Sequence, residues 1–375
     1  MPADGLARDS WFIELFQPNT EGNSNEQDPH PRHRYPRPGR RGLEPEARCQ
    51  ASGPAEALRV PRVLEHVPRD GPSLNNIVGV LTERIRTDEA HIHLLPDGRE
   101  LAYLEWGDAT GYPAFYFHGT PSSRLEGVFV DGAARRHDFR LIAIDRPGFG
   151  RSTFQPGRGF GDWPADVCDL ADALGLHQFG VVGHSGAGPH LFACGALIPP
   201  TRLRFIGAFA PWGPLATPEI VAALSPQDRI YRVLARLGAW PFDAAFRPLG
   251  WCANHWPGLF NRLLTAWVPQ PERQHLRDEL FLRHFRASQL EAFRQGGRGG
   301  AYESFLDYRP WTFRAEQIAV PTHIWQGDLD SFIPRAMGHY LEHAIPNVDL
   351  HWSEGEDHFN IEDWDAILAA CAADI

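Results

Sequence analysis

Lysine is absent from this chain: all 36 of its Lys+Arg positions are arginine. Together with 36 glycines and 33 prolines, this reads as coding from a GC-rich genome, so no single arginine carries special weight on sequence grounds. Cysteine is scarce as well. The five cysteines (Cys49, Cys168, Cys194, Cys252 and Cys371) are scattered, odd in number and form no C-x-x-C pair, so neither a disulfide framework nor a metal site of the zinc type is expected. No run approaches the roughly 18 apolar residues of a membrane span. The N-terminus lacks a basic region followed by an apolar core, so no secretory signal is expected and a cytoplasmic protein is. Positive charge is in deficit, with a net charge of −11. That argues against a nucleic-acid partner and gives no hint of attraction to anionic lipid. No oligomeric state is assigned.

What is present suits a globular core: 375 residues, 43% hydrophobic and 11% aromatic, enough for one large or two medium domains. Residues 1–75 differ from the rest. The stretch from Asp28 to Cys49 is dense in Pro, His and Arg and cannot bury enough apolar surface to order itself. A disordered N-terminal extension is expected there, with Trp11 to Phe16 as a candidate docking segment and no histidine read as a metal ligand.

From about Asn76, strands and helices alternate in the manner of a mostly parallel sheet. His91 to Leu95, the turn Pro96-Asp97-Gly98, and Leu101 to Trp106 read as a hairpin. Ala114 to Phe117, Leu141 to Ile144, Phe179 to Val182 and Phe205 to Phe209 read as apolar strands, and Thr322 to Trp325 and Val348 to Trp352 as two more. Val167, Leu170, Ala171 and Leu174 have helical spacing, Arg335 to Ala344 is helical, and Asp363 to Ala372 closes the chain as a helix. Residues 213–312 break the rhythm. They read as several helices with many large aromatics, and the expectation is a helical cap inserted between core segments 76–212 and 313–375. Most of those aromatics are expected to pack the cap against itself, and three or four to line a pocket.

The most informative stretch is Val181-Val182-Gly183-His184-Ser185-Gly186-Ala187-Gly188. It reads as a buried strand, a tight turn carrying one serine, and the start of a helix, the form of a nucleophile elbow. Such a turn needs small neighbours so that strand and helix can approach, and Gly183 and Ala187 stand two residues either side of Ser185. Pro189 fits the first helical turn, whose N–H groups have no intrahelical partner. The Gly186 N–H then faces any negative charge that develops beside Ser185.

A serine hydroxyl needs a base to take its proton, and the base needs a partner to orient it. The best carboxylates follow the strand Thr322 to Trp325, in Gly327-Asp328-Leu329-Asp330-Ser331-Phe332-Ile333-Pro334. Both Asp328 and Asp330 qualify by chemistry. The order Gly-x-x-Asp-x-x-Ile-Pro favours Asp330. Among 18 histidines, His358 alone lies in the loop after the last strand and before the last helix. His118, His184 and His351 are decoys. The loop His118-Gly119-Thr120-Pro121 follows a strand directly, and the Thr120 N–H is the candidate second oxyanion donor.

These motifs, with Asp145-Arg146-Pro147-Gly148-Phe149-Gly150-Arg151-Ser152 after another strand, resemble the α/β-hydrolase fold superfamily from about Asn76 onward. The order Ser, Asp, His is the superfamily order. The resemblance implies an α/β fold with a mostly parallel eight-stranded sheet flanked by helices and an inserted helical cap. It further implies a serine hydrolase without metal or cofactor, acting on an ester or related acyl bond of a small or medium apolar substrate. Serine in place of aspartate argues against haloalkane dehalogenases and epoxide hydrolases, and His-Gly-Thr-Pro lacks the His-Gly-Gly-Pro-Gly of proline iminopeptidases. C–C bond hydrolysis, amide cleavage and perhydrolysis use the same triad and stay open, as does a ligand-binding protein on a retired fold. Asp357 stands where many relatives have glycine, so that carboxylate either raises the His358 pKa or faces solvent. Activity is expected to fall as His358 protonates, at about pH 6 to 7.

Overall fold

The computed structural model describes residues 89–375. The expected extension at 1–75, and the first residues of the expected core segment 76–212, lie outside the described residues. Eight strands run in chain order: β1 (His91–Leu94), β2 (Glu100–Gly107), β3 (Tyr112–Phe117), β4 (Phe139–Ile144), β5 (Phe179–His184), β6 (Leu203–Phe209), β7 (Thr322–Gly327) and β8 (Val348–Ser353). They form one sheet in the order β1-β2-β4-β3-β5-β6-β7-β8. Only the β1–β2 and β2–β4 pairs are antiparallel. Strands β3 to β6 are covered on both faces, which is why they read as nearly unbroken apolar runs. The apolar runs located each strand, while the pairing sets the ends. β5, for instance, continues through Gly183 to His184 because His184 still pairs with Phe209.

Helices cover both faces. On one side, α1 (Val128–Arg136) and the C-terminal helix Asp363–Ala372 pack together, burying Val130, Ala134, Ile367 and Leu368. On the other, α2 (Trp163–Ala173) and α3 (Gly188–Leu197) bury Val167, Leu170, Leu191 and Phe192. Between β6 and β7 run α4 (Pro218–Ala223), α5 (Pro226–Leu234), α6 (Trp240–His255), α7 (Pro257–Trp267), α8 (Glu279–Ala292) and α9 (Arg298–Leu306), with no strand among them. α10 (Arg335–Ala344) and α11, the Asp363–Ala372 helix, complete the order.

The strand order places the site. From β3 the chain crosses to β4 on one side and then to β5 on the other, so the loops leaving β3 and β5 part at their carboxyl ends. Such a crevice is where open α/β sheets gather their functional loops. A buried ionic cluster braces that end. The Arg124 guanidinium, fully buried, meets Asp145 at 2.6 Å and Glu291 of α8 at 2.7 Å. Asp145 also accepts the Arg124 N–H at 2.7 Å and the Arg151 N–H at 3.0 Å. Since Glu291 belongs to the helical segment and Asp145 to the loop after β4, this cluster ties one to the other. Deleting one partner would strand an uncompensated charge in a dry interior. Asp145→Ala should therefore lower the unfolding free energy by about 3–5 kcal/mol; a denaturant titration showing a loss under about 1 kcal/mol would contradict a structural role for the cluster.

Candidate active site

Ser185 follows β5 immediately and has φ of +57°, a left-handed conformation that costs a non-glycine residue energy. Its neighbours show what the turn demands. A Cβ on Gly183 would lie 2.8 Å from the Ala187 Cβ, and one on Gly186 would lie 2.8 Å from the Thr120 Cβ and 3.2 Å from the Thr120 N. Glycine at 186 thus lets the loop after β3 close against the turn after β5. The Trp212 N–H donates to the Ser185 carbonyl at 2.9 Å, fixing the turn from behind.

The residues singled out in the sequence meet at this point. The Ser185 Oγ is 2.9 Å from His358 Nε2, and His358 Nδ1 is 2.9 Å from Asp330 Oδ2. The other carboxylate oxygen of Asp330 accepts the N–H groups of Phe332 and Ile333 at 2.8 and 2.9 Å, so the carboxylate is held on both oxygens. Asp328 is turned to other use: it accepts the Gly355 N–H at 2.8 Å. Of the decoy histidines, His351 stacks on Trp325 at 3.9 Å between ring centroids. His118 lies buried behind the β3 loop, and burial with the charge of Arg146 pushes its pKa down to about 3. His184 leaves the serine hydroxyl to His358, stacks on Phe209, and donates from Nε2 to the His358 carbonyl at 3.1 Å. It buttresses the loop of the histidine that meets Ser185.

Burial by itself would depress the basicity of His358, but the charge and hydrogen bond of Asp330 outweigh it. Glu272 and Asp357 add to that effect, and the imidazole pKa is raised above its ordinary value of 6.5. Asp357 does not face solvent. Its buried carboxylate meets His275 Nε2 at 2.9 Å and Gln274 Nε2 at 3.0 Å, binding the His358 loop to the helical segment. Glu272, from the same segment, accepts the Ser331 N–H at 2.8 Å beside Asp330.

Two residues of this site were given no role by the sequence, although Arg146 stands in the motif after β4. Glu126 is buried, and its Oε1 accepts from the Tyr116 hydroxyl at 2.8 Å and the Gly119 N–H at 2.9 Å. Burial opposes its charge, yet the hydrogen bond and charge of His184 hold its pKa down at about 2. With the Gly119 N–H taken, the Thr120 N–H meets no backbone acceptor among the described residues. Arg146 grips the same loop from behind. Its guanidinium donates to the His118 carbonyl, to the Gly119 carbonyl at 3.3 Å and to Thr120 Oγ1 at 2.7 Å. These contacts fix the loop's carbonyls, and Thr120 itself lines the cavity.

The cavity in front of Ser185 has a volume of about 740 Å³, room for a ligand well above the smallest esters. Its wall is largely aromatic and aliphatic. Six aromatics of the helical segment line it (Phe246, Phe260, Trp267, Phe281, Phe285 and Phe293), more than the three or four expected. Trp240, Trp251 and Trp256 are exposed to solvent. Among the described residues no group of three or more His, Cys, Asp or Glu side chains could hold a metal ion.

A strand–turn–helix serine, a histidine after the last strand and an acid after the one before it define the α/β-hydrolase class of architecture. The chain belongs to that family: the profile described as "alpha/beta hydrolase fold" matches residues 115–364. Among curated proteins it is 37% identical over 94 residues to a non-heme chloroperoxidase of Streptomyces lividans, spanning 24% of this chain and 34% of that one. It is 32% identical over 93 residues to a bifunctional esterase/perhydrolase of Acinetobacter calcoaceticus, with the same shares of each chain. The match thus spans about a third of the length of these relatives. Among solved structures, the bromoperoxidase of Bacillus anthracis superposes with a TM-score of 0.58 at 20% identity, over 76% of this chain and 100% of that one.

The electrostatics of His358 can be checked directly. In Asp330→Asn the burial cost stays while the largest opposing charge goes, so the imidazole pKa should fall from the raised position it holds in the parent. An NMR titration of labelled histidine reads both values, and an unchanged pKa in the variant would contradict the assigned cause.

Proposed function

We propose that this chain is a serine hydrolase that cleaves an ester or related acyl bond through an acyl-enzyme. The observation that carries the reading is the chain of hydrogen bonds Asp330–His358–Ser185, each link 2.9 Å, ending on a serine in a left-handed turn. Ser185 Oγ attacks the substrate carbonyl while His358 Nε2 takes its proton. The oxyanion of the tetrahedral intermediate accepts from the Gly186 and Thr120 N–H groups, each worth roughly 3 kcal/mol of barrier. His358 then gives the proton to the leaving alcohol. In the second half, water attacks the acyl-enzyme carbonyl with His358 as base, and Ser185 is released as the acid product departs. Asp330 holds the imidazole tautomer throughout.

Residues 213–312 act in this reading as a cap whose aromatics enclose the acyl group, which favours a medium-sized apolar substrate. A cytoplasmic enzyme acting on a small molecule fits the sequence. One neighbouring activity is favoured by a specific observation. The Acinetobacter relative is named as an esterase/perhydrolase, and the same acyl-enzyme would give a peracid if hydrogen peroxide replaced water. Because neutral His358 is the base and its pKa is raised, activity should be lost as falling pH protonates it, at a point above the ordinary imidazole value of 6.5.

The test is a fluorophosphonate probe, followed by a panel of esters, lactones and amides, on the parent and Ser185→Ala. The parent should label and hydrolyse esters, and the variant should lose labelling and at least about 10⁴-fold in kcat. Equal labelling of both, or none of the parent, would remove Ser185 as an activated nucleophile.

A further inference from the structure

Exposed apolar side chains are not spread evenly over this protein. Of the fourteen large hydrophobic residues exposed among the described residues, nine fall between Ile230 and Trp267. All four exposed tryptophans are among them: Trp240, Trp251, Trp256 and Trp267, at 49 to 67% exposure. Scattered surface hydrophobics need no explanation, but a contiguous group of this kind does.

These residues form a surface. Along α7 and its first flanking residue, Trp256, Leu259, Leu263 and Trp267 recur at intervals of three, four and four. In a helix this places them on one outward stripe. The stripe is extended by α6, because Trp251 packs edge-on against Trp256 at 4.9 Å and face-on against His255 at 4.6 Å. At its far end the stripe does not stop at the rim of the molecule: Leu263 and Trp267 also line the cavity in front of Ser185. One apolar track therefore leads from open surface to the mouth of the site.

Charge identifies what covers it. The chain as a whole carries −11, yet residues 230–267 hold four arginines (Arg232, Arg236, Arg247 and Arg262) against a single Asp243 and no glutamate. Asp243 is paired with Arg247 at 2.7 Å, and Arg262 projects from the exposed side of α7 with no ion-pair partner among the described residues. Tryptophan and leucine on one face, with arginine beside them and an excess of arginine over acid in the same stretch of chain, are features of helices that lie in the headgroup region of an anionic bilayer. No helix in the described residues is long and apolar enough to cross a membrane, so the association is peripheral. We propose that the outward faces of α6 and α7 dock on the surface of an anionic phospholipid membrane, with the cavity mouth turned to the lipid. Combined with the proposed esterase chemistry, this would let an apolar ester pass from the lipid phase past Trp267 and Leu263 toward Ser185.

The experiment is flotation of the full chain with phosphatidylcholine vesicles containing about one-third phosphatidylglycerol, compared with vesicles of phosphatidylcholine alone. Trp251→Ser/Trp256→Ser is the test variant, since neither residue lines the cavity. The parent should float with the anionic vesicles, more weakly with the neutral ones and less at high salt. The double variant should lose roughly tenfold or more in vesicle affinity while keeping its circular dichroism and its turnover of a water-soluble short-chain ester. Ser185→Ala should bind vesicles like the parent, which separates failure of this proposal from failure of the serine mechanism. No flotation of the parent, equal flotation of the double variant, or a concentration-dependent dimer that buries these tryptophans would each overturn the proposal.

Discussion

Ser185 holds a left-handed backbone with φ of +57°, and much of the surrounding structure is arranged to keep it there. Strain of this kind costs about 1–3 kcal/mol and persists only where the neighbourhood over-determines it. Here β5 is hydrogen-bonded between β3 and β6 up to the residue before the turn. The Trp212 N–H fixes the Ser185 carbonyl, and α3 begins within three residues. Relaxing the turn would break sheet pairing or helix start. The turn sets the hydroxyl 2.9 Å from His358 Nε2, and it places Gly186 against Thr120 of the β3 loop.

The second requirement is that this loop stay put, and it is met by buried charge rather than by apolar packing. Arg146 pulls on the loop's carbonyls from behind and Glu126 takes the Gly119 N–H from the side. Arg146 is itself held at 3.3 Å from the buried carboxylate of Glu303 in α9. Arg124, next in the same loop region, reaches Asp145 and Glu291. Glu303 and Glu291 both come from the segment between β6 and β7. Asp357 closes a third link, from the His358 loop to His275. The helical segment is therefore tied to each loop that bears on Ser185, and its position and the site geometry are coupled.

How far this was legible in the chain depends on whether the signal was local. The strands could be read because double-sided burial forces continuous apolar runs, and the serine turn because Gly183, Gly186 and Ala187 are required at fixed offsets. Asp330 and His358 could be picked because each follows a strand end within a few residues. Arg146 stands in the motif after β4, but in a chain whose only basic side chains besides histidine are arginines its role could not be weighed. Its role comes from where β4 lies beside β3. Glu126 and the Asp357–His275 contact join residues whose proximity only the tertiary fold creates, the latter across 82 positions. The helical segment shows the same limit from the other side. Its aromatic content was plain, but which rings turn to the cavity and which to solvent depends on how α6 and α7 are rolled against the rest.

The central claim is that Ser185 is acylated during turnover. Rapid mixing with an activated ester, acid quench within milliseconds, and mass analysis of the intact chain and its peptides tests it most directly. The account predicts one acyl group per chain, carried by the peptide containing Ser185 and decaying at the rate of turnover. Ester turnover with no covalent species, or with the acyl group on a different residue, would contradict it.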